Sequence, residues 1–158
     1  MFSVPPYTLR AATEDDLAFQ RQLYDTTRED ELAAVHFPPE MKEQFLAMQF
    51  EAQTLHYRTH YGESQWEIIE LAGQRIGRII LYRSQVCHEL MDIALLPAHR
   101  GQGIGTRLIQ LIQAEAAEKK KLIRLYTNTG ERSARLYLRL GFQIASDDGL
   151  HTEMTWQG

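Results

Sequence analysis

The sequence predicts a mixed α/β domain, and three observations carry the prediction. Strand-like and helix-like runs alternate along the 158 residues in the order β-αα-ββ-β-α-β-α-ββ. Alternate glycines, Gly101, Gly103 and Gly105, separate an apolar strand-like run from a helix-like run. An apolar content of 44% with 24% charged residues is ordinary for a globular chain, and 158 residues suit one domain, residues 1–158, with a sizeable core.

Residues 7–11 read as a short first strand. Thr13 follows as an N-cap, with Glu14, Asp15 and Asp16 in a first helical turn, where negative charge suits the dipole; the helix is expected to reach the mid-20s. After Pro38-Pro39, a second helix is marked by Met41, Phe45, Met48, Ala52 and Leu55 at spacings of three and four. Residues 66–71 and 75–82 form a hairpin turning at Ala72-Gly73-Gln74, and a further strand lies near 88–96. From Ile104 to about Lys119, Ile104, Leu108, Leu111, Ile112 and Glu115 share a helix face. Residues 122–126 are a short strand and 133–140 a helix, with Gly141 as its C′ residue. Residues 142–145 and 150–156 flank Asp148-Gly149, a hairpin signal.

Charge and cysteine content narrow the class. A net charge of −4 argues against broad nucleic-acid binding. Cys87 is the only cysteine, which leaves no intrachain disulfide and no thiolate metal cluster and fits a reducing cytoplasm, the expected location. Met1 to Tyr7 shows no basic segment followed by an apolar core, so no signal peptide is expected, and no apolar run is long enough to cross a membrane. His56 and His60 stand at i,i+4 without the glutamate of His-Glu-x-x-His and without an evident third ligand, so no metal is expected. Lys119-Lys120-Lys121 ends a helix, where cations suit the dipole.

A strand, a glycine-rich turn and a helix N-terminus together make a place to hold phosphates: glycine permits φ > 0 and close backbone approach, and free N–H groups face the anion. The segment is not a P-loop, because Thr106 and Arg107 follow Gly105 where Lys-Ser/Thr is needed. It is not a dinucleotide fingerprint either, because counting from Gly101 or Gly103 the third glycine position holds Thr106 or Leu108. What remains is Arg-x-x-Gly-x-Gly, Arg100 to Gly105, after Asp92-Ile93-Ala94-Leu95-Leu96-Pro97.

This pattern resembles the coenzyme-A-binding motif of the GNAT superfamily of N-acetyltransferases. Leu136-Tyr137 with Gly141-Phe142 resembles that family's Leu-Tyr-x-x-x-Gly-Phe signature, and residues 8–16 resemble its usual opening. The resemblance implies a mostly antiparallel central sheet of about seven strands flanked by about four helices. It implies acetyl-CoA as acyl donor and a small-molecule or peptide amine as acceptor, attacked directly in a ternary complex by a monomer or homodimer. Backbone groups of Gly101, Gln102, Gly103, Ile104, Gly105 and Thr106 would then hold the pyrophosphate, Arg100 would add charge, and Ile93, Ala94 and Leu95 would pair with the pantetheine arm. Tyr137 would protonate the departing thiolate. Glu89 is the first candidate for the base and Asp92 the second; in a regular strand they face opposite sides, unless a bulge intervenes.

Many relatives carry an asparagine about seven residues before the tyrosine; here that position is Gly130, and Asn128, Arg132 or Ser133 would take over its contact with the cofactor. The acceptor wall would come from the first two helices, with the acidic run Arg28-Glu29-Asp30-Glu31 able to attract an amine and Tyr24, Phe37 and Tyr57 able to shape its pocket. Two other readings keep the glycine loop: a non-catalytic acyl-CoA-binding sensor, which does not depend on Tyr137, and transfer of a longer acyl group.

Overall fold

The structure, a computed structural model, describes residues 3–4, 7–128 and 133–158. Among the described residues, eight strands form one sheet in the order β1-β2-β3-β4-β5-β6-β8-β7. They are β1 (Ser3–Val4), β2 (Tyr7–Ala11), β3 (Gln65–Leu71), β4 (Gln74–Arg83), β5 (Cys87–Leu95), β6 (Leu122–Asn128), β7 (Gln143–Asp147) and β8 (His151–Trp156). The helices are α1 (Leu17–Leu32), α2 (Pro39–His60), α3 (Ile104–Glu118) and α4 (Ser133–Arg139). Apart from the two-residue β1, strand and helix order follow the expectation. Every described pairing is antiparallel except β5 with β6.

Local chemistry explains the elements. Ala72 and Gly73 both have positive φ, 51° and 80°, the signature of the tight turn that matches strand twist between β3 and β4. The Thr13 amide donates to the Asp16 carboxylate at 2.8 Å, and the first turn, Glu14–Asp16, is 3-10 rather than α. Asp16 is fully buried, and the Arg10 guanidinium against it holds its carboxyl well below the usual carboxylate range. α1 runs past the mid-20s to Leu32, which is buried between α1 and α2; within it Thr26 and Thr27 satisfy their hydroxyls on the carbonyls of Leu23 and Tyr24, both at 2.7 Å.

The main core lies between α3 and one face of the sheet, where Ile104, Leu108, Ile109 and Ile112 meet Ile79, Leu81, Leu90 and Leu125. Glu115, on the same helix, pairs with Arg83 at 2.8 Å and with the fully buried His88 at 2.5 Å. The opposite sheet face is covered by α1 and α2, with Phe19 and Leu23 packed on Ile68. Among the described residues, no helix is long and apolar enough to cross a membrane, and no group of three His, Cys, Asp or Glu could hold a metal.

Candidate active site

The parallel pair β5–β6 is in register only at Cys87 with Leu122, His88 with Ile123 and Glu89 with Arg124. Beyond Glu89 the two strands part, and a cleft of about 1020 Å³ opens between Leu90–Leu95 on one side and Leu125–Asn128 on the other. The parting coincides with a bulge. Ile80 pairs with Asp92 and Leu81 with Leu90, which leaves Met91 as an extra residue on β5. The Tyr57 hydroxyl, reaching over from α2, donates to the Met91 carbonyl at 3.2 Å. β5 keeps its pairing to β4 through Leu95, so the backbone groups on its other edge turn toward the cleft.

At the end of β5 the chain makes a 3-10 turn, Pro97–His99, and enters the glycine loop. Gly101 and Gly103 have φ of 73° and 82°, conformations that side chains rarely adopt. Gly103 is the N-cap of α3, has no side chain to cap it, and its carbonyl accepts the first helical hydrogen bond, from Arg107, at 3.1 Å. A Cβ on Gly101, Gly103 or Gly105 would meet nothing within 4 Å. The first turn of a 15-residue helix therefore faces open space with its amides, a setting for an anion. Arg100 fastens the loop, its Nε donating to the Leu95 carbonyl at 2.9 Å and its Nη2 to the Thr26 hydroxyl at 3.2 Å.

Tyr137 projects from α4 into the same cleft and is 6% exposed. Its place is set by the way α4 ends. Gly141 takes φ of 95°, its amide donates to the Leu138 carbonyl at 3.1 Å, and the Phe142 amide donates to the Tyr137 carbonyl at 3.0 Å. The Phe142 ring then lies 5.6 Å from that of Tyr137. The Leu-Tyr-x-x-x-Gly-Phe pattern is thus a helix stop that grips its own tyrosine.

The wall opposite is polar at depth. Arg78, on β4, is 3% exposed and donates to Asp92 at 2.7 Å, to Gln20 of α1 at 3.0 Å and to Gln53 of α2 at 3.1 Å, with Trp66 against its guanidinium. Burial, with the nearby Asp92 charge, pushes the Tyr57 phenol up, so it stays protonated and remains a donor.

Most of the expected site residues converge on this cleft: Ile93, Ala94, Leu95, Arg100, Gly101, Gly103, Ile104, Gly105, Thr106, Asn128, Ser133 and Tyr137 line it, as do Asp92, Tyr24 and Tyr57. The side chain of Gln102 turns away to donate to the Ala98 carbonyl at 3.1 Å. Phe37 stacks on Phe45 instead of entering the cleft. Arg132 lies outside the described residues. Arg28 lines the cleft and donates to the Tyr24 hydroxyl at 2.9 Å, while the side chains of Asp30 and Glu31 lie outside the described residues.

Glu89 departs from its expected place. The Met91 bulge does bring it to the same sheet face as Asp92, since their partners Tyr82 and Ile80 are two residues apart. Yet Glu89 is buried, does not line the cleft, and is engaged by Arg124. The residue that sequence reasoning missed is Arg78. Its signal was a lone cation inside an apolar strand, Ile76-Gly77-Arg78-Ile79-Ile80-Leu81. A charge at such a position is buried only when partners await it.

An open α/β sheet that parts at its parallel pair beside a glycine-capped helix defines a domain built to hold an extended, phosphate-bearing ligand. A family model described as "Acetyltransferase (GNAT) domain" matches residues 62–144, just over half of the chain. The chain belongs to the GNAT acetyltransferase family. No curated protein sequence matches it. Its fold is similar to that of the PaiA N-acetyltransferase of Thermoplasma acidophilum, in complex with coenzyme A, at TM-score 0.73 and 18% identity, over 96% of this chain and 99% of that one. It is also similar to a spermidine N-acetyltransferase of Vibrio cholerae, in complex with coenzyme A and spermine, at TM-score 0.61 and 18% identity, over 96% and 95%. The ribosomal-protein-S18-alanine N-acetyltransferase of Escherichia coli aligns at TM-score 0.63 and 18% identity, over 96% and 93%.

Proposed function

We propose that the protein transfers an acetyl group from acetyl-CoA to a primary amine, the amine attacking directly within a ternary complex. The observation that carries the reading is the opening of the sheet beside Gly101–Gly105, where each added Cβ would point into empty space. Two of the similar structures hold coenzyme A, which agrees with that opening.

Acetyl-CoA supplies an activated thioester. In this reading the amides of the loop hold the pyrophosphate, and Ile93, Ala94 and Leu95 present backbone groups to the pantetheine arm as a neighbouring strand would. Asn128 and Ser133 bound the arm from the other side of the cleft.

The transfer forms a C–N bond and breaks a C–S bond; starting from the alkylammonium, two protons leave nitrogen, the equivalent of one reaches sulfur and the other is released to solvent. An alkylammonium with a pKa of about 8–10 arrives protonated, so a base is required. Asp92 receives the ammonium and takes its proton, because it stands in the cleft and Arg78 fixes its orientation. Glu89, expected as the base, serves this reading less well because it is buried and does not line the cleft, whereas Asp92, also paired with an arginine, does line it. Tyr137 gives its phenolic proton to the leaving sulfur. Tyr24 and Tyr57 shape the acceptor's side of the cleft.

Calorimetric titration with acetyl-CoA, with NAD and ATP as controls, followed by a thiol-release assay over an amine panel, tests the reading. Saturable binding selective for acetyl-CoA and amine-dependent thiol release are expected. Folded protein that binds no acetyl-CoA would remove the basis for the loop assignment, and binding without turnover on any amine would favour the sensor.

A further inference from the structure

Of the apolar pattern that marks α2 in the sequence, Phe45 packs against the core, whereas Met41, Met48, Ala52 and Leu55 do not face it. The side of α2 that packs inward is centred on Leu46 and Phe50, with Gln53 and Tyr57 continuing it into the cleft. Met41, Met48 and Leu55 are 54%, 61% and 67% exposed. Two residues correspond to about 200° of helix rotation, so Met48 points away from the side where Leu46 is buried. Spaced seven apart, the three keep one line with a drift of only about 20° per step. They make an apolar stripe about 21 Å long at 1.5 Å per residue, with Ala52 exposed beside it. Single exposed apolar residues are ordinary, whereas an aligned row marks a surface that is covered.

The layout of the row says by what. Met41 and Leu55 are equidistant from Met48, so the stripe maps onto itself when reversed. The flanking charges reverse with it: Glu40 stands in the first turn of α2, and Arg58 and His60 in the last. Glu40 and Arg58 lie eighteen residues, or five turns, apart and therefore on the same flank of the stripe. Gln44 and Glu51 are exposed beside the stripe near its middle, so the complementarity rests on the apolar row and on its ends, acidic at one and basic at the other, which match an antiparallel copy.

We propose that two copies of this chain pair through the outer faces of their α2 helices, antiparallel, about a two-fold axis at Met48. Met48 meets Met48 of the second copy, Met41 meets Leu55, and Glu40 faces Arg58 at both ends of the seam. Such an interface is isologous, each contact occurring twice. Because Gln53 and Tyr57 lie on the reverse side of the same helix, the seam braces the wall that shapes the acceptor's side of the cleft.

Sedimentation equilibrium of the full chain across the micromolar range, without acetyl-CoA, tests this independently of the proposed reaction. A mass of twice 18.3 kDa is expected. Met48→Glu should weaken the dimer by about tenfold or more, as the loss of a central contact does, while the thermal midpoint of the monomer holds because the position is exposed. Glu40→Arg should weaken it as well, and Glu40→Arg combined with Arg58→Glu should restore it. Wild-type protein that remains monomeric overturns the proposal. So does a dimer that Met48→Glu leaves unchanged, a result that would move the interface elsewhere, the exposed edge strand β7 first.

Discussion

The amide of Phe142 donates to the carbonyl of Tyr137 at 3.0 Å, so the bond that stops α4 also anchors the residue most exposed to the reacting atoms in the proposed mechanism. The bond needs Gly141 at φ of 95° between them. Gly141→Val should cost about 1–2 kcal/mol from left-handed backbone alone, and more because a Cβ there would stand 3.3 Å from Trp156 Nε1. Gly141→Asn should cost less, since asparagine tolerates that conformation. Urea denaturation of the two variants provides the comparison; equal losses would mean that backbone conformation is not what the glycine supplies.

Tyr137→Phe keeps the ring against Phe142 and removes only the hydroxyl. The expected result is a fall in kcat of about 10²–10⁴ with the dissociation constant for acetyl-CoA unchanged. An unchanged kcat would leave the tyrosine a packing residue and hand the proton to another donor.

Gly105 separates binding from folding. It lies in the first turn of α3 without positive φ, and its missing Cβ faces open space. Gly105→Ala should stabilise the fold by about 0.5–1 kcal/mol through helix propensity, yet weaken acetyl-CoA binding by crowding the amides. Melting and calorimetry on the same sample read both effects. A variant that gains stability and keeps full affinity would show that the phosphates lie elsewhere.

Arg78 is buried with three polar partners, so its removal leaves a carboxylate without its counter-ion. Arg78→Met should cost about 3 kcal/mol, the lower end for a broken buried pair because Asp92 is 25% exposed. Adding Asp92→Asn should recover part of that loss, since no bare charge remains. If the double variant is no more stable than the single one, the hydrogen bonds to Gln20 and Gln53 dominate instead.

His88 predicts a pH dependence. Burial pushes its imidazole below the usual value, against the opposing pull of Glu115. The folded state therefore holds fewer protons than the unfolded chain just below pH 6.5, and stability present above that pH declines as pH falls through the folded value. Thermal midpoints measured from pH 7.5 down to about 5 should fall in the wild type, and His88→Gln should flatten part of the slope. Equal slopes for the two proteins would assign the loss to other groups.

The succession of apolar runs and turn signals made the fold legible, although only β6 and β8 alternate in burial, while β4 and β5 are buried in continuous runs. Glycine and proline punctuation placed the β3–β4 turn, the start of α2 and the stop at Gly141 close to their actual positions. The loop and the tyrosine were legible for the same reason: both depend on glycines at fixed offsets. Three features were not. The Met91 bulge has no local sequence signature, since it arises from how β5 is shared between β4 and the parting β6. The role of Glu89 depended on Arg124, which is 35 residues away. The outward turn of the α2 stripe was invisible because periodicity reveals that a helix has an apolar side and not which way that side points.

The sheet lets go of itself after three parallel registers, so the rest of β5, from Leu90 to Leu95, carries an internal edge. A ligand strand that pairs there becomes part of the protein's cohesion as well as its cargo. Folding and occupancy are then one linked equilibrium: at a hundred times its dissociation constant, such a ligand adds about 2.7 kcal/mol to stability. The melting temperature of this chain becomes a reading of its cosubstrate supply, and a depleted cell would hold a softer enzyme than a well-fed one.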